Sequence, residues 1–166
     1  MTASPPISIE PPADAADLDA IKGLFLEYAD SLGFSLAYQD FTSELANFPG
    51  KYAPPGGALL LARVDGEAAG AVALRQLESE ICEMKRLYVR PAYRGTRTTD
   101  GQSIGRALAY GIIEQARVLG YRRLRLDTIA GKMAAAVRLY RSMGFVDIPP
   151  YYPSPIPDTA YMELVL

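Results

Sequence analysis

Apolar residues recur at helical spacing near the start of the chain. They lie three or four positions apart and form one stripe, made of Leu18, Ile21, Leu24, Phe25, Tyr28 and Leu32. This period predicts an amphipathic helix, with Asp14 as its N-cap, Asp17 in its first turn and Gly33 beyond its end. A short strand over Ile7–Glu10 is expected before this helix, and a short helix over Phe41–Ala46 after it.

Three consecutive apolar segments in the middle of the chain are typical of strands. They cover Ala58–Val64, Ala68–Leu77 and Ile81–Val89. The dipeptide Asp65-Gly66 between the first two is a hairpin signal, so these strands should pair antiparallel.

The second half of the chain alternates between helical and strand patterns. A helix is predicted over Ser103–Leu119, a strand over Leu124–Thr128 and another helix over Lys132–Met143. Two further strands, within 145–148 and 160–166, close the chain, with a proline-rich loop between them. The first strand–helix–strand unit of this half should be parallel. This order predicts a single α/β (α+β) domain over residues 1–166, with helices flanking a mixed sheet.

Composition narrows the chemistry that such a domain can carry. The chain has 166 residues, 49% of them hydrophobic, a net charge of -2 and a pI near 5.2, which argues against a nucleic-acid partner. It contains no histidine and one cysteine, Cys82. This excludes a Ser-His-Asp triad, a His-activated cysteine, a His-ligated zinc ion and an internal disulfide. We expect no metal, and we expect Cys82 to be an inert, packed thiol.

Neither a secretion signal nor a membrane span is expected. The first 18 residues carry no basic stretch followed by an apolar one. No apolar run approaches the roughly 18 residues that a membrane span needs. The expected location is therefore the cytoplasm, with no membrane partner.

A long polar loop, RPAYRGTRTTDGQSIG, joins the third central strand to the following helix. A helix N-terminus offers unpaired N–H groups and the positive end of a dipole, so this loop favours an anion such as a phosphate. An ATP-binding P-loop is excluded, because Gln102 stands where a lysine is required. A loop whose glycines serve only a turn is the alternative.

This loop and a second segment resemble motifs of the GNAT N-acetyltransferase superfamily. The loop contains V-R-P-A-Y-R-G and Q-S-I-G-R-A, and LYRSMGF at Leu139–Phe145 is similar to the family's L-Y-x-x-x-G-F. The resemblance covers roughly Ala58–Phe145. It implies a mostly antiparallel central sheet of about six or seven strands flanked by helices, in which a splayed strand pair forms the cofactor cleft.

The resemblance also implies acetyl-CoA as cosubstrate. Its pantetheine arm would pair with the backbone of Leu87 and Val89. Its pyrophosphate would lie at the loop and helix N-terminus, on Arg94, Gly95, Gln102, Ser103, Gly105 and Arg106. Two features depart from the family pattern, namely the six additional residues Thr96–Gly101 and Met133, where the family often carries an asparagine. The insertion could bulge outward and leave the amides in place, weaken cofactor binding, or cap a neighbouring surface.

Direct acetyl transfer to an amine requires an acid for the departing thiolate and a base for the amine proton. The resemblance implies Tyr140 as the acid, and an aromatic residue buried in the core is the alternative. Glu83 is the candidate base, since strand alternation places it on one face with Lys85, Leu87 and Val89. A structural ion pair between Glu83 and Lys85, or a chain of water molecules, is the alternative.

The expected acceptor is an amine of a small molecule, peptide or protein. The resemblance places four loop tyrosines around it, namely Tyr38, Tyr52, Tyr151 and Tyr152. Lys85 and Arg86 would suit an acceptor that carries a carboxylate. A non-catalytic acyl-CoA-binding or regulatory module and a structural interaction domain are alternative functions, and a homodimer through exposed C-terminal strands is a further hypothesis.

Overall fold

Helices cover both faces of a seven-stranded sheet in the computed structural model, which describes residues 6–166. The strands are β1 Ile7–Glu10, β2 Ala58–Val64, β3 Glu67–Glu78, β4 Ile81–Val89, β5 Arg123–Ile129, β6 Val146–Asp147 and β7 Thr159–Val165. The helices are α1 Ala15–Ser31, α2 Phe41–Ala46, α3 Ile104–Val118 and α4 Ala134–Ser142. Every predicted helix and strand is therefore present.

The expected lack of a secretion signal concerns in part residues 1–5, which lie outside the described residues. Across residues 6–166, the helices are too short or too polar for any of them to cross a membrane.

The two longest helices begin at side-chain caps, and the cap of α1, Asp14, is the one that the sequence predicts. The Asp17 N–H donates to Asp14 Oδ1 over 2.9 Å, and the Ala13 N–H donates to Asp17 Oδ2 over 2.8 Å. These reciprocal bonds satisfy N–H groups that the helix itself leaves unpaired. At the start of α3, Ser103 Oγ accepts a bond from the Arg106 N–H over 3.1 Å.

The sheet order is β1-β2-β3-β4-β5-β7-β6, and only β4 and β5 run parallel. The unit β4–α3–β5 is the parallel crossover that the sequence predicts. The last strand, β7, lies between β5 and β6 and is not an edge. Of the two C-terminal strands, only the two-residue β6 lies at the edge of the sheet. A dimer through exposed C-terminal strands would therefore have less strand surface available than expected.

Each face of the sheet carries its own apolar core. Ile21, Leu24 and Phe25 of α1 are fully buried against one face, and Leu108 and Ile112 of α3 against the other. The apolar run in β3 serves both faces by alternation, which explains why it reads as nearly continuous in the sequence.

A bulge interrupts the regular alternation of β4. Its register against β3 passes from Ala73↔Lys85 to Ala71↔Tyr88, so β4 contains one residue more than β3 between these pairs. Arg86 lies within this segment and has a φ of 62°, in the left-handed region. An extra residue of this kind reverses which face the following side chains occupy.

The bulge corrects one expectation about the candidate base. Glu83 and Lys85 lie on the α1 side of the sheet, whereas Leu87 and Val89 pack against the α3 core. The prediction that Glu83 shares a face with Leu87 and Val89 was therefore wrong, because it assumed unbroken alternation through Arg86.

The parallel strands β4 and β5 pair only at their beginnings. Their register runs from Ile81↔Arg123 to Glu83↔Arg125 and then stops, although β4 continues to Val89. The strands diverge beyond this point. The splayed pair expected from the resemblance is thus present, and it opens a cleft in the sheet.

The close contact of β3 with the end of β4 predicts a sharp difference between two glycines. A Cβ at Gly70 would lie 2.6 Å from the Tyr88 carbonyl oxygen, whereas a Cβ at Gly23 in α1 would meet nothing within 4 Å. We expect Gly70→Ala to lower the free energy of unfolding by about 1–3 kcal/mol. Gly23→Ala should raise it by about 0.5–1 kcal/mol, because alanine favours helix. Urea unfolding measures both, and equal stabilities would contradict this strand packing.

Candidate active site

The cleft between β4 and β5 continues as a groove to the N-terminus of α3. Residues of α1, β4, the long loop, α3 and the approach to α4 line it, among them Tyr28, Leu87, Val89, Arg94, Ser103, Gly105 and Met133. Its volume is about 490 Å³. Pockets that hold small-molecule ligands measure about 300–1,000 Å³, so this groove is large enough for one.

The outer end of the groove has the features of an anion site. Ser103 Oγ caps the Arg106 N–H, and the Gly105 N–H has no hydrogen-bond partner among residues 6–166. A side chain at position 105 would extend toward Val89 Cγ2, which lies 3.8 Å from the Cβ position. Glycine at this position keeps the space between α3 and β4 open and leaves an N–H at the positive end of the helix.

The inserted segment Thr96–Gly101 folds back on itself. The Thr98 N–H donates to the Gln102 carbonyl oxygen over 2.9 Å, and the Gln102 N–H donates to Thr98 Oγ1 over 3.0 Å. No residue of the segment lines the groove. The insertion therefore bulges outward, and its effect on cofactor binding stays a prediction.

Five of the eight predicted cofactor-binding residues line the groove together, namely Leu87, Val89, Arg94, Ser103 and Gly105. The other three do not. Gln102 donates to Asp100 Oδ2 over 3.1 Å, and Arg106 donates to Ser142 Oγ over 3.0 Å. Gly95 precedes the insertion on the outer side of the loop. The side chains of Gln102 and Arg106 are thus engaged elsewhere.

A smaller inner pocket of about 90 Å³ adjoins the groove at its inner end. The two cavities share Tyr28, Leu32, Leu87, Met133 and Ala136 as walls. The inner pocket is further lined by polar residues, namely Tyr38, Gln39, Lys85, Arg86, Asp127, Thr128 and Tyr140. A ligand in the groove could therefore present one end to this polar pocket.

Tyr140 combines a packed ring with a free hydroxyl. Its ring centroid lies 5.6 Å from that of Phe145 in the α3-side core. The hydroxyl has no hydrogen-bond partner among residues 6–166. Every fully buried side-chain polar atom of these residues does have a partner, so the Tyr140 hydroxyl is not fully buried and faces the open space of the pocket. Burial raises the pKa of Tyr140 above its usual value of 10.0, so the group is protonated at neutral pH.

Glu83 is held in an ion-pair network and lines neither cavity. Its side chain is 1% exposed. Arg75 Nε donates to Oε1 over 2.8 Å, the Tyr151 hydroxyl donates to Oε2 over 2.6 Å, and Lys85 Nζ lies 3.9 Å from Oε1. This geometry favours the structural ion-pair alternative, and the role of Glu83 as base stays a prediction.

Asp127 is a candidate that the sequence analysis missed. It lies on β5 beside the splay, lines the inner pocket, and forms no ion pair within 4.0 Å in the described part of the chain. Burial raises the pKa of its carboxyl, while the nearby Tyr152 hydroxyl and Lys85 ammonium oppose that shift. An acidic residue inside the strand pattern LRLDT was the available signal.

Gln39 connects β4 with the loops of Tyr38 and Tyr152. The sequence analysis did not identify it, because its segment carries no motif. Its Oε1 accepts from Arg86 Nη1 over 2.7 Å and from Lys85 Nζ over 3.2 Å. Its Nε2 donates to the hydroxyls of Tyr38 and Tyr152 over 3.1 and 3.3 Å. The amide therefore orients the bulge of β4 against two loops.

The four loop tyrosines have different positions. Tyr38 lines the inner pocket. Tyr152 lies next to this pocket, where its hydroxyl accepts from Gln39 Nε2. Tyr151 bonds Glu83 behind the pocket. Tyr52 packs in the α1-side core and donates to Glu44 over 2.7 Å. It also lines a separate cavity of about 300 Å³ that shares Gln39 and Lys85 with the inner pocket, so its place beside the acceptor stays a prediction.

Cys82 and Met133 both contribute apolar packing. Cys82 is fully buried, and burial raises the pKa of its thiol to about 12, which confirms an inert thiol. Met133, at the expected asparagine position, precedes α4, and its Sδ accepts from Thr128 Oγ1 over 3.3 Å.

Within the described range 6–166, no cluster of three or more potential ligands could hold a metal ion.

Comparison with known proteins adds a family and a fold. Residues 23–145 match the model of the acetyltransferase (GNAT) family. An uncharacterized N-acetyltransferase of Schizosaccharomyces pombe is 44% identical over 150 residues, which cover 89% of this chain and 88% of that protein. N-acetylaspartate synthetase of Mus musculus is 34% identical over 126 residues, which cover 74% of this chain and 40% of that protein.

A solved structure shares the fold. It is that of a Salmonella typhimurium acetyltransferase with its cofactor acetyl-CoA, with a TM-score of 0.68 at 24% identity. The match covers 96% of this chain and 93% of that one.

The ion-pair network around Glu83 predicts a stability effect that a free base would not show. Glu83→Gln would leave Arg75 and Lys85 without their buried counter-charge, so the free energy of unfolding should fall by about 1–3 kcal/mol. Glu80→Gln, whose pair with Arg122 is exposed, should change it by less than about 0.5 kcal/mol. Urea unfolding of both variants is the measurement, and an unchanged stability for Glu83→Gln would refute the structural role.

Proposed function

Because the chain belongs to the acetyltransferase (GNAT) family, we propose that it transfers an acetyl group from acetyl-CoA to the amine of a small acceptor. One observation carries this proposal. Two adjoining cavities with shared walls lead from the N-terminus of α3, along the part of β4 that β5 leaves unpaired, to the hydroxyl of Tyr140.

The residues of the groove fit acetyl-CoA. The Gly105 N–H would bond the pyrophosphate at the positive end of α3, and Arg94, on the groove wall, adds a cation. The backbone of Leu87 and Val89 lies on the part of β4 that β5 leaves unpaired. The amides of the pantetheine arm can pair with it there, beside the Val89 carbonyl oxygen that already accepts from Arg94 Nε over 3.0 Å. Ser103 would stay as the helix cap beneath the phosphates.

Three other predicted contacts lack this support. Gly95, Gln102 and Arg106 stay predictions for the pyrophosphate, and their positions outside the groove lining argue against a direct role. The non-catalytic alternative was motivated by the insertion and by Met133. The insertion lies clear of the groove, and Met133 adds apolar wall to it, so neither feature favours that alternative.

The inner pocket provides an acid and a base for direct transfer. When bound, acetyl-CoA supplies a thioester whose acetyl carbon forms the new C–N bond as its C–S bond breaks. Tyr140 donates its proton to the sulfur, which departs with the bonding electron pair. Asp127, whose carboxylate has no ion-pair partner among residues 6–166, takes one proton from the acceptor's ammonium group and passes it to solvent. The second proton, which the nitrogen loses as the C–N bond forms, replaces the one lost by Tyr140. Asp127 suits this task better than Glu83, since both oxygens of Glu83 are already bonded.

The size of the inner pocket favours a small acceptor. About 90 Å³ holds a few small groups. The Mus musculus relative, N-acetylaspartate synthetase, carries a name that describes a small acetylated molecule, which supports the same class of acceptor here.

The role of Tyr140 is tested by removing one oxygen atom. Tyr140→Phe should lower kcat at least about 100-fold, because general-acid catalysis contributes roughly 10²–10⁴-fold, while the Kd for CoA stays unchanged. Thiol release with acetyl-CoA and a panel of amines gives kcat, and calorimetry gives Kd. Tyr110→Phe, on the exposed side of α3, is the matched control and should behave as wild type. Full activity of Tyr140→Phe would rule out this acid.

The cofactor groove predicts different effects at two glycines of the same loop. Gly105→Val should weaken CoA binding at least about tenfold, because its side chain would occupy the space between α3 and β4. Gly95→Val should have little effect, since a Cβ there meets nothing within 4 Å and lies outside the groove. Calorimetric titration with CoA compares the two. If Gly95→Val weakened CoA binding more than Gly105→Val, the pyrophosphate would instead lie near Gly95.

A further inference from the structure

Three charged side chains line the inner pocket, and only one of them has a hydrogen-bonded carboxylate of its own. Arg86 Nη2 lies 3.1 Å from Glu44 Oε1, its Nε donates to Glu44 Oε2 over 3.2 Å, and Nη1 donates to Gln39. Its charge is therefore balanced by a carboxylate within the protein. Lys85 and Asp127 are the other two, and neither is balanced in this way.

Lys85 is a largely buried cation whose N–H donors are only partly used. Its side chain is 11% exposed, and its one hydrogen bond runs to Gln39 Oε1 over 3.2 Å. The nearest carboxylate oxygen, Glu83 Oε1, lies 3.9 Å away and already accepts from Arg75 Nε over 2.8 Å. An ammonium group has three N–H donors, so Lys85 can bind a further acceptor in the pocket.

Asp127 presents the opposite charge across the splay. It lies on β5, and Lys85 lies on β4 beyond the point where the two strands stop pairing. Both side chains line the same cavity, but no ion pair of 4.0 Å or less joins them in the described part of the chain. The divergence of the strands thus holds one positive and one negative group apart, with cavity between them.

We propose that the acceptor is a free α-amino acid, whose ammonium group binds Asp127 and whose carboxylate binds Lys85. This inference rests on the proposed function, since it identifies the acceptor of that same reaction. A zwitterion offsets the desolvation of both side chains at once. An amine without a carboxylate would leave Lys85 with only the carboxylate of Glu83, 3.9 Å away and shared with Arg75. A protein N-terminus would present a neutral peptide group at that position.

The opposed charges also orient the reaction. Asp127 binds the ammonium and takes its proton, so the nitrogen that becomes nucleophilic lies next to Tyr140 and the thioester. The carboxylate at Lys85 then determines which way the acceptor enters. The lowered pKa of Lys85, caused first by burial, is consistent with a cation that awaits an anionic partner.

Matched pairs of acceptors test this inference on the wild-type protein. L-alanine, L-serine and L-aspartate are compared with their α-amides by thiol release from acetyl-CoA. We expect kcat/KM for each acid to exceed that for its amide at least about tenfold, because a site built to bond a substrate group discriminates against its absence. The amides have the less basic amines, so intrinsic reactivity alone would give the opposite order.

The variant Lys85→Met, which keeps most of the apolar length of the side chain, tests the residue. It should lower kcat/KM for the amino acids at least about tenfold more than for the amides, with the Kd for CoA unchanged. Lys22→Met, outside both cavities, is the matched control and should leave every parameter unchanged.

The outcomes separate this inference from the proposed function. Equal or better use of the amides by wild type would overturn the amino-acid acceptor and leave acetyl transfer intact. An equal loss with acids and amides in Lys85→Met, with CoA binding retained, would overturn the role of Lys85. If none of the amines leads to release of the thiol, the proposed function and the inference are overturned together.

Discussion

The divergence of two parallel strands is the constraint on which the rest of the molecule depends. β4 and β5 share only three register pairs and then separate, so the interior of the sheet contains a length of β4 backbone that no strand satisfies on that side. Buried backbone groups require partners. The protein meets part of this need itself, since Arg94 Nε donates to the Val89 carbonyl oxygen over 3.0 Å. In our account an amide-bearing cosubstrate meets the rest, and the same separation joins the anion site to the inner pocket.

The bulge at Arg86 gives the two faces of β4 different tasks. Before it, Glu83 and Lys85 belong to a network of charges on the α1 side; after it, Leu87 and Val89 form the apolar wall of the groove. One extra residue in a strand therefore brings charged and apolar surfaces to the same cleft. The carboxylates of Glu83 and Glu44 neutralise neighbouring arginines and so limit the free charges of the pocket to a small set.

Local features were predictable from the sequence, and features that depend on tertiary contacts were not. The cap at Asp14, the apolar stripes and the glycine-containing loop act over a few residues, so the order of helices and strands and the parallel crossover could be predicted. The bulge could not, because no glycine or proline marks Arg86. The directions of the Gln102 and Arg106 side chains depend on Asp100 and Ser142, and the importance of Asp127 becomes visible only once β4 and β5 diverge. The two sequence motifs located the cleft, whereas most of the polar residues at its inner end lie on β4, β5 and the Tyr38–Gln39 segment, where no motif marks them.

The central claim is that this cleft holds a thioester beside the Tyr140 hydroxyl. A crystal structure of the protein with CoA tests it most directly, by locating the sulfur atom. The account predicts CoA along β4, with its pyrophosphate at the Gly105 N–H and its sulfur within about 3.5–4 Å of the Tyr140 hydroxyl oxygen. CoA bound on another surface, or a sulfur atom far from Tyr140 with the inner pocket closed, would contradict it.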